Sequence, residues 1–319
     1  MQFRLKERSM RNIIAPIAMA LILSGLFCVP SSACSVCRCG DNGFQFSELS
    51  LMPASGRADS HFRITIGNSY STKSNALGAD EGVGDEKQRE IRPSLKASYK
   101  ILDNVSLSAE LPVGFKRLDV HSTDGEEIVK TSGFGDLEFT GSYISNLFTG
   151  INSMISYGIS VAMKVPSGRN NLQSDGERQD EHLQTGTGSY DYTIGGGLVG
   201  AKFQNMFFTS IYYRHNGTNK YEYHYGDAVL FNLGLQHAVN SWMSGDIQFN
   251  ARDAKVDSDN GHEVENTGGW MGYLTPGLHL ALGNMASFSA SVQLPVWQDL
   301  KGDQSEKAVF LSGLTVGIR

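Results

Sequence analysis

Three thiols fall within one short run, CSVCRCGD, at Cys34, Cys37 and Cys39. Cys-x-x-Cys spacing closes a redox-active disulfide or supplies two thiolates to a soft metal, and a third thiol at Cys39 favours the metal. The competing reading is one disulfide beside a free or lipidated thiol, formed in an oxidising compartment. No His follows Cys37, so the haem-attachment pattern is missing, and no other cofactor is expected. A second chemistry, nucleophilic hydrolysis, needs a Ser beside a His base and a polar group that orients the His. His215 has Gly217 two positions on, where such a Ser would stand. His279 and Ser289 share a parity on neighbouring predicted strands, but no orienting acid is apparent in the sequence. The run Asp257 to Gly261 resembles a calcium loop without its bidentate Glu and reads as a solvated loop. Gly195 to Gly200 is not a phosphate loop, because no helix follows it.

The elements that carry these residues are extended. Along Trp242 to Arg252, Ser244, Asp246, Gln248, Asn250 and Arg252 fall on one face, and Met243, Gly245, Ile247, Phe249 and Ala251 on the other. Successive strand side chains point to opposite faces, so this alternation means one apolar and one polar face. About twelve segments repeat the pattern between residues 61 and 319. The connections sort by length: short ones near 101–104, 146–150, 201–205, 240 and 283–284, long polar ones at 72–87, 117–133, 167–188, 215–226, 253–268 and 298–306. A soluble sandwich gives no reason for that sorting, whereas an outer-membrane barrel has short periplasmic turns and long external loops. The expected fold is all-β: a transmembrane antiparallel up-and-down barrel of about twelve strands, with both termini in the periplasm.

Composition agrees. The chain has 319 residues, 19% charged, 36 glycines and a net charge of −6, which excludes the concentrated basic face of a nucleic-acid binder. Mean hydropathy is −0.23, as expected when strands are apolar only at every second position. The one continuous apolar stretch, Ile13 to Pro30, follows Arg4, Lys6, Arg8 and Arg11 and ends in Ser31-Ser32-Ala33. These are the parts of a secretory signal, cleaved after Ala33. The expected organisation is therefore a signal peptide over 1–33, a Cys-containing periplasmic segment or plug over 34–60, and a barrel over 61–319. Tyr70, Tyr99, Tyr213, Tyr223, Tyr225, Trp242, Trp270 and Trp297 fall near strand ends, where amphipathic rings form membrane girdles.

Three further runs carry a resemblance: Ser132 to Tyr143 (SGFGDLEFTGSY), Lys164 to Arg169 (KVPSGR), and Gly186 to Tyr192 (GTGSYDY) leading into Gly195 to Leu198. They resemble the MetA-pathway phenol-degradation family of outer-membrane channels, whose members pair a Gly-x-Gly-Asp strand entry with a Pro-x-Gly loop and a Gly-x-Gly re-entry. The likeness runs loosely from about residue 45 to the C-terminus. It implies a channel or transporter, linked in some members to small aromatic compounds, with no shared catalytic residues. The chain departs from the usual barrel ending by closing on Ile318-Arg319 rather than an aromatic residue.

If the apolar faces meet lipid, the opposite faces line a lumen of mixed sign. Arg63, Arg92, Lys96, Lys164, Arg214 and Arg252 stand against Glu90, Glu110, Asp136, Glu138, Asp191 and Asp246, with His279 on the same parity. Eight strands leave an interior filled by side chains and sixteen an aqueous channel, so about twelve leaves two outcomes: paired charges and an inward loop that plug the barrel, or an open pore. Loops 167–188 and 215–226 are the candidates for selecting a solute. The expected function is a non-enzymatic channel for small solutes, with lipid and solute as partners. The alternatives are a docking barrel that recruits a periplasmic redox or metal partner through Cys34, Cys37 and Cys39, and, less favoured, an outer-membrane lipid hydrolase.

Overall fold

A computed structural model describes residues 60–74, 83–122, 125–174 and 176–318; the expected signal peptide over 1–33, the cysteines and residues 40–59 lie outside the described residues. Twelve antiparallel strands close into a barrel. In chain order they are β1 (Phe62–Ser74), β2 (Val83–Leu102), β3 (Val105–Ser122), β4 (Leu137–Gly150), β5 (Ser153–Val165) and β6 (Asp191–Lys202). Then come β7 (Asn205–His215), β8 (Ala228–Ala238), β9 (Met243–Ala254), β10 (Gly269–Leu282), β11 (Ala286–Leu300) and β12 (Val309–Ile318). Each strand pairs with its sequence neighbours, and β1 closes the wall by pairing with both β2 and β12. Closure removes the sheet edge, which is how a sheet satisfies its backbone groups in hydrocarbon.

The distribution of polarity is inverted relative to a soluble domain. Ile66, Leu95, Ile159 and Ile211 are half exposed on the outside, at 50%, 52%, 52% and 57%. Lys73, Glu90, Lys164 and Arg252 are buried on the inside. A belt of large exposed apolar side chains is what a lipid-facing wall requires. Tyr99, Tyr213, Trp242 and Trp297 are exposed near strand ends, and Trp270 packs on Trp297 with centroids 5.1 Å apart. Tyr223 and Tyr225 differ from the girdle expectation. They are buried among loops, because their hydroxyls find partners there.

Loop boundaries shift where pairing outruns the polar composition. Residues 117–133, expected as a loop, are mostly a hairpin: β3 runs on to Ser122 and pairs with the strand Gly125–Phe134. The segment 298–306 yields its start to β11, which extends to Leu300. The turn expected at 146–150 instead lies at Ile151-Asn152, because a register shift between Asn146 and Phe148 lets the β4–β5 ladder continue to Gly150. Asn152 takes φ 55° there and Gly283 takes φ 66° in the β10–β11 turn, a left-handed conformation suited to Asn and Gly.

The interior is not uniformly polar. Val199, Met206, Phe208, Tyr212 and Leu230 form a buried apolar cluster on the inner wall of β6–β8. Two glycines make room for its rings: a Cβ at Gly195 would lie 2.1 Å from Tyr212 and one at Gly234 2.2 Å from Phe208. The glycine run is thus a strand surface on which an aromatic ring lies flat.

Candidate functional site

The inward faces converge at the long-loop end. Strand register aligns Lys96, Glu110, Glu138, Lys164 and Asp191 as successive partners across β2–β6, with Thr65 of β1 beside Lys96. One rung therefore holds five of the charges expected in the lumen, with two acids, Glu110 and Glu138, side by side between Lys96 and Lys164. Where it reaches Lys164, the ammonium lies 3.3 Å from Asp136 Oδ2 and also contacts Asp191 and the Thr187 hydroxyl. A charge taken out of water is tolerated only when paired and hydrogen-bonded, and this lysine has both.

Asp136 organises the backbone around it. Its Oδ1 accepts from Gly168 N at 2.9 Å, and its Oδ2 accepts from Thr187 N at 2.7 Å and Thr187 Oγ1 at 2.9 Å. The three runs that carry the sequence resemblance thus meet at one carboxylate. Their glycines touch backbone to backbone: a Cβ at Gly186 would sit 2.7 Å from the Gly168 Cα, and one at Gly168 2.8 Å from Gly135 C.

From this anchor the β5–β6 connection, residues 166–190, folds inward across the lumen. Its centre is a single 3-10 turn, Glu181–Leu183, capped by Asp180, whose side chain accepts from His182 N. The carbonyls at the tip are held from the barrel wall. Lys116 Nζ donates to His182 O at 2.7 Å and to Gln184 O, Gln88 Nε2 donates to His182 O at 3.2 Å, and Thr131 Oγ1 donates to Leu183 O at 2.7 Å. Opposite, the 216–227 loop closes on it. Tyr225 OH donates to Glu181 O at 3.1 Å, and Asn219 Nδ2 to Glu181 Oε1 at 3.2 Å. His182 Nε2 lies 3.2 Å from Tyr223 OH, which itself donates to Asp257 Oδ2 at 2.9 Å. Asp257 also accepts from Gly226 N at 2.7 Å, so it is a buried bracket between loops, not the solvated residue its sequence context suggests.

The space left is small. One chamber is lined by Glu90, Arg92, Asp136, Glu138, Lys164, Asp191 and Arg214, together with the loop at Thr185–Thr187. A second, joined to it at Arg214 and Asn216, is lined by Lys73, Arg252, Lys255, Asp257 and Glu306. Each has a volume of about 30 Å³, room for a few waters at about 10–15 Å³ apiece. Among the described residues the β5–β6 loop crosses the lumen, held from both sides.

Arg63 lies apart, opposite Ser98 and Gly317 towards the short-turn end. Asp246 and His279 meet there too, with Asp246 Oδ1 2.6 Å from His279 Nε2. This supplies the orienting acid that the sequence left out of view, because it comes from the neighbouring strand. Ser289 and Ser244 both stand opposite His279 in register; the Ser244 hydroxyl accepts from Gln236 Nε2 at 2.8 Å, and the Ser289 Oγ lies beside Gly313 of β12.

Sequence reasoning did not single out Lys73, Lys116, His182 or Glu306, and it read Tyr223 as a girdle residue. Lys73 and Lys116 continue the inward parity of Arg63 and Glu110, so extending the alternation into the expected loops would have found them. His182 and Glu306 sit in loops without a period and carried no such signal.

Near the loops two carboxyls titrate low. Burial pushes Asp227 up, but the Tyr213 hydroxyl, the Asn216 N–H and His215 outweigh it and hold the group below its ordinary value. Burial likewise pushes Glu306 up, and Arg252, Lys73 and Tyr273 together bring it below. Among the described residues no cluster of three or more His, Cys, Asp or Glu could hold a metal.

No protein-family profile matches the chain, and no curated protein matches its sequence. Among solved structures it is similar to an outer membrane channel from Pseudomonas putida F1, at 13% identity over 81% of this chain and 96% of that one, with a TM-score of 0.60. It also aligns with the translocator domain of the autotransporter NalP from Neisseria meningitidis, at 12% identity over 88% and 96%, with a TM-score of 0.46. The first of these likenesses places the chain in the outer-membrane barrel fold.

Proposed function

We propose that the protein is an outer-membrane channel for small solutes, closed by its own β5–β6 loop. One observation carries this reading: a lipid-facing belt surrounds a charged lumen crossed by a hydrogen-bonded loop that the 216–227 loop meets from the other side. An interior built only for rigidity would fill with strand side chains, as in eight-stranded barrels. Here two stacked chambers persist beneath a removable segment. Location in the outer membrane with both termini periplasmic follows from the even strand count and the short-turn end. The MetA-pathway resemblance adds small aromatic or otherwise apolar compounds as a solute class. The resemblance supports a non-enzyme, since the family it points to shares no catalytic residues. The segment with Cys34, Cys37 and Cys39 is proposed as a periplasmic docking, redox or soft-metal element. Complete thiol labelling without reductant or chelator would dispose of that part.

The test is single-channel conductance of the mature protein in planar bilayers, beside a variant with residues 170–184 replaced by a short Gly-Ser linker. Brief, rare openings that become steady in the variant are expected. A correctly folded barrel that stays silent in both forms would overturn the reading.

A further inference from the structure

The β5–β6 loop has two parts that are held in different ways. Its root is tied through backbone. Gly168 N and Thr187 N both donate to Asp136, Gly186 N donates to Arg169 O at 2.8 Å, and Leu137 N donates to the Ser167 hydroxyl at 2.8 Å. The close approach of Gly135, Gly168 and Gly186 leaves no space between them for a side chain.

Beyond the root, residues 170–174 and 176–184 form an arm that is stitched to itself. The buried Gln184 is the stitch: its Oε1 accepts from Leu172 N at 2.8 Å, and its Nε2 donates to Gln179 O at 2.7 Å and Leu172 O at 3.3 Å. A short ladder pairs 173–174 with 177–178, and Gln179 N donates to Leu172 O at 2.9 Å. Arg178 closes the arm by donating to Asn170 O at 2.9 Å and Glu181 Oε1 at 2.6 Å. A connected network of this kind is rigid, so the arm behaves as one piece.

The arm's ties to its seat are of another kind. They come from side chains: Lys116, Gln88 and Thr131 on one side, Asn219 and Tyr225 on the other, with Arg178 lying 3.7 Å over the Tyr221 ring. Among the described residues, each backbone–backbone hydrogen bond of the arm finds its partner within the loop. Apart from the Lys116 ammonium, the donors that reach the arm's carbonyls are neutral, whereas the donors at the root meet a carboxylate, the stronger kind of bond. The weaker boundary therefore runs around the arm and spares the root.

Resting on the channel reading above, we propose that the arm is a hinged lid, which pivots outward as one body about the Asp136 root while that root stays closed in the open channel. Opening breaks the contacts of Lys116, Thr131 and Tyr225 and keeps those of Asp136 with Gly168 and Thr187. Asp136 is thus a positioning residue that returns the lid to the same seat.

The experiment places a reversible lock at the root. A Cβ at Gly133 would lie 3.8 Å from that of Thr185, and one at Gly114 4.0 Å from it, both within the roughly 3.5–4.5 Å that a disulfide spans. Gly133→Cys/Thr185→Cys and Gly114→Cys/Thr185→Cys are made in the full mature chain with Cys34, Cys37 and Cys39 replaced by Ser. Bilayer openings are then recorded before and after reduction. The oxidised and reduced forms of each variant are expected to open alike, because the root does not move. Oxidised channels that stay silent until reduced would overturn the proposal, since the whole loop would then have to withdraw. At the tip, Leu183→Cys is buried in the closed state. It is expected to react with an impermeant thiol reagent added outside, about tenfold faster when Lys116→Met weakens the seat. A thiol there that stays unreactive while the channel conducts overturns the proposal as well. Silence of every form, the loop-replaced variant included, removes the channel reading on which it rests.

Discussion

Lys116 holds the loop closed directly, because one ammonium binds two carbonyls of the loop tip from the wall of β3. Hydrogen bonds to a charged group contribute about 1.5–3 kcal/mol each, and a factor of ten in an equilibrium needs about 1.4 kcal/mol. Lys116→Met should therefore raise the open fraction at least tenfold while the barrel still folds, as read from open probability in bilayers. Unchanged gating would show that the loop is held by Asp136 and the tyrosines instead. The pH response follows from Asp227 and Glu306, whose carboxyls titrate below their ordinary values. A lowered carboxyl contributes stability that is complete above its unfolded pKa and is lost as pH falls through the folded one. Loop order should thus be constant from neutral pH down to about 4 and fail below it, as followed by protease cleavage within residues 216–227. Failure already at pH 6 would show that these two carboxyls do not control loop order.

At the scale of elements, the β4, β5 and β6 termini and the plug are welded by glycine contacts rather than by side-chain packing. Gly186→Ala places a carbon 2.7 Å from the Gly168 Cα, with backbone on the receiving side. Overpacking of this kind costs about 1–3 kcal/mol, and the variant should lose its heat-modifiable mobility at a lower temperature. Gly200→Ala on β6 is the control, since nothing lies within 4 Å of its Cβ, and it should be neutral or slightly stabilising. Equal effects at the two sites would mean that strand propensity, not contact, dominates. The same elements show where reading a strand by composition stops. The polar run 117–133 becomes a hairpin because β3 and the strand Gly125–Phe134 satisfy each other's backbone, and hydrogen-bond pairing is indifferent to side-chain polarity.

For the whole molecule, the belt predicts a depth-dependent cost of charge. Ile159 on β5 and Ile128 on the hairpin beyond β3 are similarly exposed, at 52% and 45%, but only Ile159 belongs to the belt. Ile159→Lys should weaken folding into lipid vesicles by about 2–4 kcal/mol, and Ile128→Lys by little or nothing; urea titration in vesicles compares them. Similar losses would place the membrane elsewhere on the wall. What the sequence by itself determined is the barrel: alternation at period two sets which face is apolar, and loop lengths sorted by side fix antiparallel neighbours, because both are local properties of the chain. It also assigned an inward face to thirteen residues, from Arg63 to His279, on the ground that a strand has only two faces, although Asp136 stands just before β4. Which of these meet was decided by the tertiary structure. Lys164 reaches Asp136 and Asp191, and Asp246 reaches His279, through register between strands that are distant in sequence. The sequence left a plugged and an open lumen as alternatives and gave no sign of where a plug would seat. The plug has no periodicity, and its seat is made by Lys116, Gln88, Tyr223 and Asp257 from four separate segments, whose convergence exists only once the barrel has closed.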